Sequence, residues 1–465
     1  MRRKQQISKD SLYGQRAMHT PKTEKMPSKE EASTEEDFTE FTEDKVMELV
    51  VESGNLRLAL YNVQRNKGAA GIDGMEVSTL ARWLKQHEPE LRRRLLSGSY
   101  EPEAVRRVEI PKANGKGKRP LGIPTVKDRL VQQALLQVLQ PIIDPSFSDS
   151  SFGFRPGVGA HQAIDQARRY VREGYNYVVD IDLADFFNLV NHDILMSKVA
   201  KHVKDKRVLR LIRRYLSAGV LLNGCRVISK EGVPQGGPLS PLLSNIMLDE
   251  LDKELERRGH RFCRYADDQN IYVRTLRAGN RVFKSVTTFL EHELRLKVNH
   301  DKSEVAPVSK RKFLGFSFTR RGEPRVNIAP ESIKRFKDKV RMLTSRTRGI
   351  AMSERIRLLN LFLSGWIRYF AKAETPTIIA QLKSWIQRRL RQCVVRSWHS
   401  STTWWRRLIA FGLSREDAAK MAGSTKSWWR LSHTPQLDKA LNNAYWKAQG
   451  LLDITEFFSK LRNNL

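Results

Sequence analysis

The chain reads as an α+β protein that passes into an all-helical C-terminal third, and three observations carry that reading. Strand-like and helix-like runs alternate up to about residue 320. From about residue 331 the apolar spacing is helical almost throughout. Within the alternating part stand two acid-bearing strand segments, one of them a hairpin with carboxylates at its tip. A length of 465 residues exceeds one ordinary core and implies two to four domains. The hydrophobic fraction of 40% is enough to fold them. A formal charge of +32 points to a polyanionic partner, although a solvated basic surface of ribosomal or chromatin type has the same sign. The three cysteines, Cys225, Cys263 and Cys393, show no paired spacing, so the expected setting is reducing, without a disulfide framework or a cysteine-rich zinc site. No apolar run approaches the ~18 residues of a membrane span, and the basic start Met1-Arg2-Arg3-Lys4 lacks the apolar stretch of a secretory signal.

Taken in order, residues 1–44 are poor in large apolar side chains and hold the acidic run Glu30-Glu31-Ala32-Ser33-Thr34-Glu35-Glu36-Asp37. They read as a disordered or loosely attached tail. Helical patterning begins near Lys45 with Val46, Leu49 and Val50, and continues through Leu56 and Leu60. Residues 106–125 read as a β-hairpin turning through Ala113-Asn114-Gly115-Lys116-Gly117-Lys118. Residues 127–143 form an apolar-periodic helix stopped at Pro145, and residues 161–173, 192–217 and 239–256 are helical.

The acidic hairpin is Tyr265-Ala266-Asp267-Asp268 between the strand-like runs 261–264 and 270–273. Adjacent carboxylates repel, and a hard divalent cation removes that penalty. Taken alone, the pair also fits two solvated turn acids. Upstream, Tyr177-Val178-Val179-Asp180-Ile181 reads as a buried strand that delivers Asp182 at its end. Three carboxylates brought together around two metal ions suit in-line nucleotidyl transfer.

The chain resembles the group II intron-encoded reverse transcriptases and maturases, with the compact bacterial class C type the nearest in pattern. The resemblance runs from about residue 45 onward, its blocks in the family's order. They are Gly68-Ala69-Ala70-Gly71-Ile72-Asp73-Gly74, Arg107-Val108-Glu109-Ile110-Pro111-Lys112, Arg119-Pro120-Leu121-Gly122-Ile123-Pro124 and Ser151-Phe152-Gly153-Phe154-Arg155-Pro156-Gly157. The Asp182 strand follows, then Gly232-Val233-Pro234-Gln235-Gly236-Gly237-Pro238-Leu239-Ser240-Pro241, the acidic hairpin and Phe313-Leu314-Gly315-Phe316. Each block is short, and their ordered co-occurrence carries the specificity.

The resemblance implies a right-hand polymerase: fingers and an antiparallel palm over 45–320, a helical thumb or maturase domain over 325–395, and a small basic DNA-binding region over 396–465. It implies RNA-templated DNA synthesis with two Mg²⁺ ions and deoxynucleotides, Asp182, Asp267 and Asp268 holding the metals. Asp180 reads as a supporting residue and Asp185 as a helix-capping acid. Phe187, five residues after Asp182, takes the place of the ring that excludes a 2′-hydroxyl; ordinary packing is its other reading. Lys112 and Arg119 flank the fingers turn as clamps for the triphosphate. Gln235 lies in the loop facing the templating pair. Lys302 matches a lysine near the polymerase site that protonates pyrophosphate, or is a surface lysine. Arg155 is a candidate for template or nucleotide phosphate.

Residues 325–465 hold 27 Lys and Arg against 9 Asp and Glu, and eight of the nine tryptophans. Arginine interleaved with tryptophan suits phosphates and unpaired bases. Arg388, Arg389, Arg391, Trp404, Arg406 and Arg407 are the nucleic-acid candidates, whereas Trp366, Trp385 and Trp446 read as core. In each doublet, Trp404-Trp405 and Trp428-Trp429, both rings cannot face one core. Cys393, His399 and His433 lack metal-ligand spacing, so no endonuclease domain is expected. The expected partners are intron RNA, an RNA template with its DNA primer, and target DNA, in a bacterial cytoplasm. A host-adopted reverse transcriptase of DNA repair or phage defence, and an RNA-folding maturase with secondary polymerase activity, are the alternatives.

Overall fold

In the computed structural model, residues 44–111, 117–222, 225–227, 231–319 and 322–464 are described. The 1–44 tail apart from Asp44, Lys112, and the side chain of Arg119 therefore lie outside the described residues. The chain divides into two compact units between Pro307 and Val308, earlier than the residue 320 expected from the sequence. Among the described residues, no helix is long and apolar enough to cross a membrane.

The first unit is built on two four-stranded sheets. One contains β1 (Val105–Pro111), β2 (Lys118–Ile123), β4 (Val220–Leu222) and β5 (Cys225–Val227) in the order β2-β1-β4-β5, with β1 and β4 parallel. The β1–β2 pair is the hairpin read from the sequence. The other sheet contains β3 (Tyr177–Ile181), β6 (Arg261–Tyr265), β7 (Asp268–Val273) and β8 (Glu304–Pro307) in the order β6-β7-β3-β8, all antiparallel. β3 is paired on both edges, and Val178, Val179 and Ile181 are buried. A central strand covered in this way needs the continuous apolar run seen in its sequence.

Helices 160–172 and 276–292 pack on this sheet. Helix 240–257 packs on β6 and is buried along much of its length, through Leu242, Leu243, Ile246, Met247, Leu251 and Leu255. Polar residues of that helix are also buried, Asn245, Asp249 and Asp252 among them.

The stretch 192–217, expected as helical, holds two helices, His192–His202 and Lys206–Ser217. Asp205 explains the break. Its carboxylate accepts from the backbone N–H of Arg207, capping the second helix, and from the N–H of Met47, tying the break to the first helix of the chain. Asp185 holds the N-cap position, but not through its acid. It sits ahead of the short helix Phe186–Leu189 with φ of 45°, and its side chain makes no capping bond.

The second unit carries the two-stranded ribbon β9 (Phe316–Phe318) and β10 (Val326–Ile328), followed by helices from Pro330 onward. Its core is aromatic. Phe336 meets Trp366 at 4.4 Å, and Phe370 meets Trp366 at 4.6 Å and Phe316 at 4.9 Å. Trp446 is fully buried, whereas Trp385 is half-buried beside Lys337 and Arg341. Residues 396–465 are not set apart from the preceding helices. The final helix, 454–463, packs on helices 352–369 and 376–396, and Lys383 pairs with Asp453 at 2.6 Å.

Candidate active site

Backbone register brings the sequence-predicted acids to one place. Ile181 pairs with Gln269, so Asp182 leaves β3 beside the point where Asp268 starts β7. Tyr265 pairs with Asp268, which leaves Ala266 and Asp267 as the two turn residues of the hairpin. Asp267 and Asp268 are exposed and Asp182 is half-buried. Among the described residues, no group of three or more His, Cys, Asp and Glu side chains is gathered tightly enough to hold a metal ion. The fold therefore juxtaposes the acids without clustering their carboxylates in advance.

Asp182 is held by the turn that precedes β8. Its N–H donates to Ser303 Oγ at 3.0 Å, and its carbonyl accepts from Asn299 N–H at 2.8 Å. Lys302, on the same turn, places Nζ 3.3 Å from Asp182 Oδ2, with both side chains open to solvent. A cation thus already lies against this carboxylate, and a divalent ion taking the same hard oxygens would displace the ammonium from it.

The hairpin tip rests on a buried network that sequence reasoning missed. Arg264 is 0% exposed and grips Asp252 through Nε at 2.9 Å. Its Nη1 donates to Asn245 Oδ1 at 2.9 Å and to the carbonyl of Ala266 at 3.1 Å. Asn245 Nδ2 donates in turn to the carbonyl of Gly153 at 2.8 Å. Burial pushes the Asp252 carboxyl up, and the Arg264 charge opposes that shift. The available signal was weak: an arginine between Cys263 and Tyr265 in the strand, and an acid among the leucines of helix 240–257.

Gly153 completes the support. A Cβ there would lie 2.3 Å from the backbone nitrogen of Ala266. Ala266 itself has φ of 57°, a left-handed conformation normally left to glycine. The Phe-Gly-Phe-Arg block is therefore a cradle for the acidic turn. This corrects the reading of Arg155. Its side chain donates to Asp144 Oδ1 and Oδ2 and to the carbonyls of Asp144, Ser148 and Ser151, so every N–H is engaged inside the fold and none is left for a phosphate.

Phe187 is half-buried and tied to the glycine- and proline-rich loop. Val233 N–H donates to its carbonyl at 2.6 Å, and Gly232, with φ of 94°, passes so close that a Cβ would meet that carbonyl at 2.9 Å. The buried His192 Nε2 lies 2.7 Å from the Gly232 carbonyl, and burial pushes its pKa down. Farther along the loop, the Gln235 carbonyl accepts from Gly122 N–H of β2 at 2.9 Å. One loop thus links Phe187 to the β1–β2 hairpin.

In the second unit the arginine and tryptophan candidates divide. Arg391 is buried, pairs with Asp438 and donates to the carbonyls of Leu441 and Ser432. Arg389 donates to Thr344 Oγ1 at 3.0 Å and to the carbonyls of Thr344 and Arg341. Arg388 stacks on Trp429, its guanidinium 3.7 Å from the ring centre, and donates to that residue's carbonyl. Arg391 is thus an internal strut, which corrects its reading as a phosphate contact, whereas Arg388 and Arg389 are half-buried with part of each guanidinium engaged inside the unit. Trp404 is also internal: it is buried, and its Nε1 donates to the Trp398 carbonyl at 2.8 Å. Trp405, Arg406 and Arg407 are exposed.

The cradle can be tested directly. Gly153→Ala should displace the acidic turn and lower the rate of primer extension about 100-fold, the usual effect of a ~1 Å misplacement, with RNA affinity unchanged. Single-turnover extension and an RNA-binding isotherm on the same preparation check this.

Comparison with known proteins gives the family. Residues 110–318 match the reverse transcriptase (RNA-dependent DNA polymerase) family, and residues 333–410 match the group II intron maturase-specific domain. Protein YkfC of Escherichia coli is 35% identical over 284 residues, 52% of this chain and 74% of that protein. The group II intron-encoded protein LtrA of Lactococcus lactis is 38% identical over 196 residues, 42% of this chain and 32% of that protein. The putative COX1/OXI3 intron 2 protein of Saccharomyces cerevisiae is 31% identical over 47% of this chain and 26% of that protein. The chain spans about a third or less of the length of these two intron proteins. A reverse transcriptase domain followed by a maturase domain, on a fold that brings Asp182 to the acidic hairpin, places the chain in the group II intron reverse transcriptase and maturase family, whose polymerases depend on divalent metal.

Proposed function

We propose that the chain copies RNA into DNA at the Asp182–Asp267–Asp268 edge of the β6-β7-β3-β8 sheet, and that it also binds its intron RNA and assists splicing. The observation that carries the polymerase reading is the strand register, which sets Asp182 beside Asp268 at the hairpin tip.

Asp182, Asp267 and Asp268 would hold two Mg²⁺, their hard oxygen donors matching that ion. When bound, the ions supply charge neutralisation at the triphosphate and activation of the primer 3′-hydroxyl. Lys302 balances the Asp182 carboxylate and has an ammonium that can give a proton to departing pyrophosphate. Lys112 and Arg119 would clamp the triphosphate of the incoming deoxynucleotide. Phe187, fixed through its carbonyl by Val233, would close the space a 2′-hydroxyl needs. Gln235, anchored to Gly122, would face the templating pair. Arg406 and Arg407 are exposed and suit phosphates of RNA or target DNA. A bacterial cytoplasm, where intron RNA and target DNA are both within reach, is the setting proposed.

Two experiments test the assignment. Asp182→Asn and Asp267→Asn should each abolish primer extension on RNA while leaving RNA affinity in place, because binding rests on the many lysines and arginines elsewhere. Near-normal extension by either variant contradicts the assignment. Phe187→Ala should raise ribonucleotide use at least tenfold relative to deoxynucleotide use, an effect of about 1.4 kcal/mol in discrimination. An unchanged ratio makes Phe187 a packing residue.

A further inference from the structure

The loop after helix 330–343 collects guanidinium groups. Arg355 donates to the carbonyls of Leu343 at 2.7 Å, Ser345 at 3.1 Å and Arg348 at 3.1 Å. Arg389 reaches Thr344 from another helix, and Arg396 donates to the carbonyl of Arg346 at 2.9 Å. The open carbonyls of a helix end attract these cations. Arg346, Arg355, Arg389 and Arg396 all act on the thiol of Cys393, which burial pushes up. Among the described residues neither Arg346 nor Arg396 pairs with a carboxylate, and both are exposed. Like charges gathered without a counter-ion are unfavourable, and a polyanion relieves the repulsion.

Against this cluster stands an exposed indole. Trp428 is 38% exposed, with the Arg346 guanidinium 5.5 Å and the Arg396 guanidinium 5.8 Å from its ring centre. Its neighbour Trp429 is pinned under Arg388, so the doublet is split, one ring clamped and the other presented to solvent. Lys426 and Arg430, on the same segment, are exposed as well. An aromatic face beside guanidinium planes stacks on an unpaired base, while the cations meet its phosphates.

We propose that Trp428, Arg346 and Arg396 form a binding site for an unpaired nucleotide in a single-stranded nucleic acid, separate from the polymerase centre. The site rests on the reading of the chain as a nucleic-acid enzyme and names where single-stranded nucleic acid is gripped. An acidic peptide would match the charge, but it has no ring to stack on the indole.

The test uses the full-length chain and two probes, short oligoadenylate RNA and the corresponding DNA, each also made with abasic residues. Trp428→Ala should weaken binding of at least one based probe about tenfold or more, as expected for loss of one base stack, with Trp428→Phe retaining most of the affinity. The abasic probes should not distinguish wild type from Trp428→Ala. Arg346→Gln and Arg396→Gln should each lower the salt slope of affinity by about 0.7, and iodouridine-bearing probes should crosslink to the peptide containing Trp428. A larger loss on the RNA probe identifies RNA as the source, and a larger loss on the DNA probe identifies DNA. Affinities within twofold of wild type for Trp428→Ala on both based probes, or equal losses on based and abasic probes, overturn the proposal. Primer extension by the wild-type chain reports the polymerase reading separately, since its failure would leave the oligonucleotide result standing.

Discussion

The buried Arg264 guanidinium is the interaction on which the rest of the active site depends. It holds Asp252 and Asn245 of the helix under the sheet, and reaches past its own strand to the carbonyl of Ala266. A buried charge of this kind costs several kcal/mol to desolvate, and removing one partner strands the other. What the arrangement secures is position: a two-residue turn with a left-handed alanine, pressed against the backbone at Gly153. The exposed acids at the tip gain a fixed base, although their own side chains face water.

A second constraint acts through backbone rather than charge. The loop from Gly232 to Pro238 touches Phe187 at one end and Gly122 at the other, in each case through main-chain groups. Side chains can change at such contacts while the spacing holds. The turn 299–303 does the same for Asp182, and also brings the Lys302 ammonium to its carboxylate. Two separate stretches of chain therefore hold the residues that follow β3, the turn fixing Asp182 and the loop fixing Phe187.

Much of this was legible in the sequence, and the reasons for the rest are physical. The apolar run of β3, the acidic turn and the glycine-rich loop announce themselves because each violates or satisfies a local rule strongly. The break at Asp205 was missed because apolar periodicity continues through it, while the cap acts by a side chain that periodicity does not weigh. Arg155 and Arg391 resemble surface cations in sequence, yet their donors are engaged by internal carbonyls and carboxylates. For Arg388, Arg389 and Arg391 a clue was present. Neighbours one apart on a helix are turned by about 100°, so Arg389 cannot share a face with Arg388 and Arg391, which lie three apart on one side. The tryptophan doublets split as helical geometry requires, but which ring faces outward is set by contacts outside the doublet, from Trp398 to Trp404 and from Arg388, 41 residues away, to Trp429.

The central claim is that Asp182 and the acidic hairpin form a single cation site on a pre-set scaffold. Its most direct test is the binding of Mn²⁺ to the full-length chain, followed by electron paramagnetic resonance with no substrate present. Wild type should bind the ion at this edge, and Asp182→Asn and Asp268→Asn should each weaken that binding at least tenfold with the fold intact, because each removes a carboxylate charge from one shared site. Mn²⁺ binding that is indifferent to both substitutions would contradict the account.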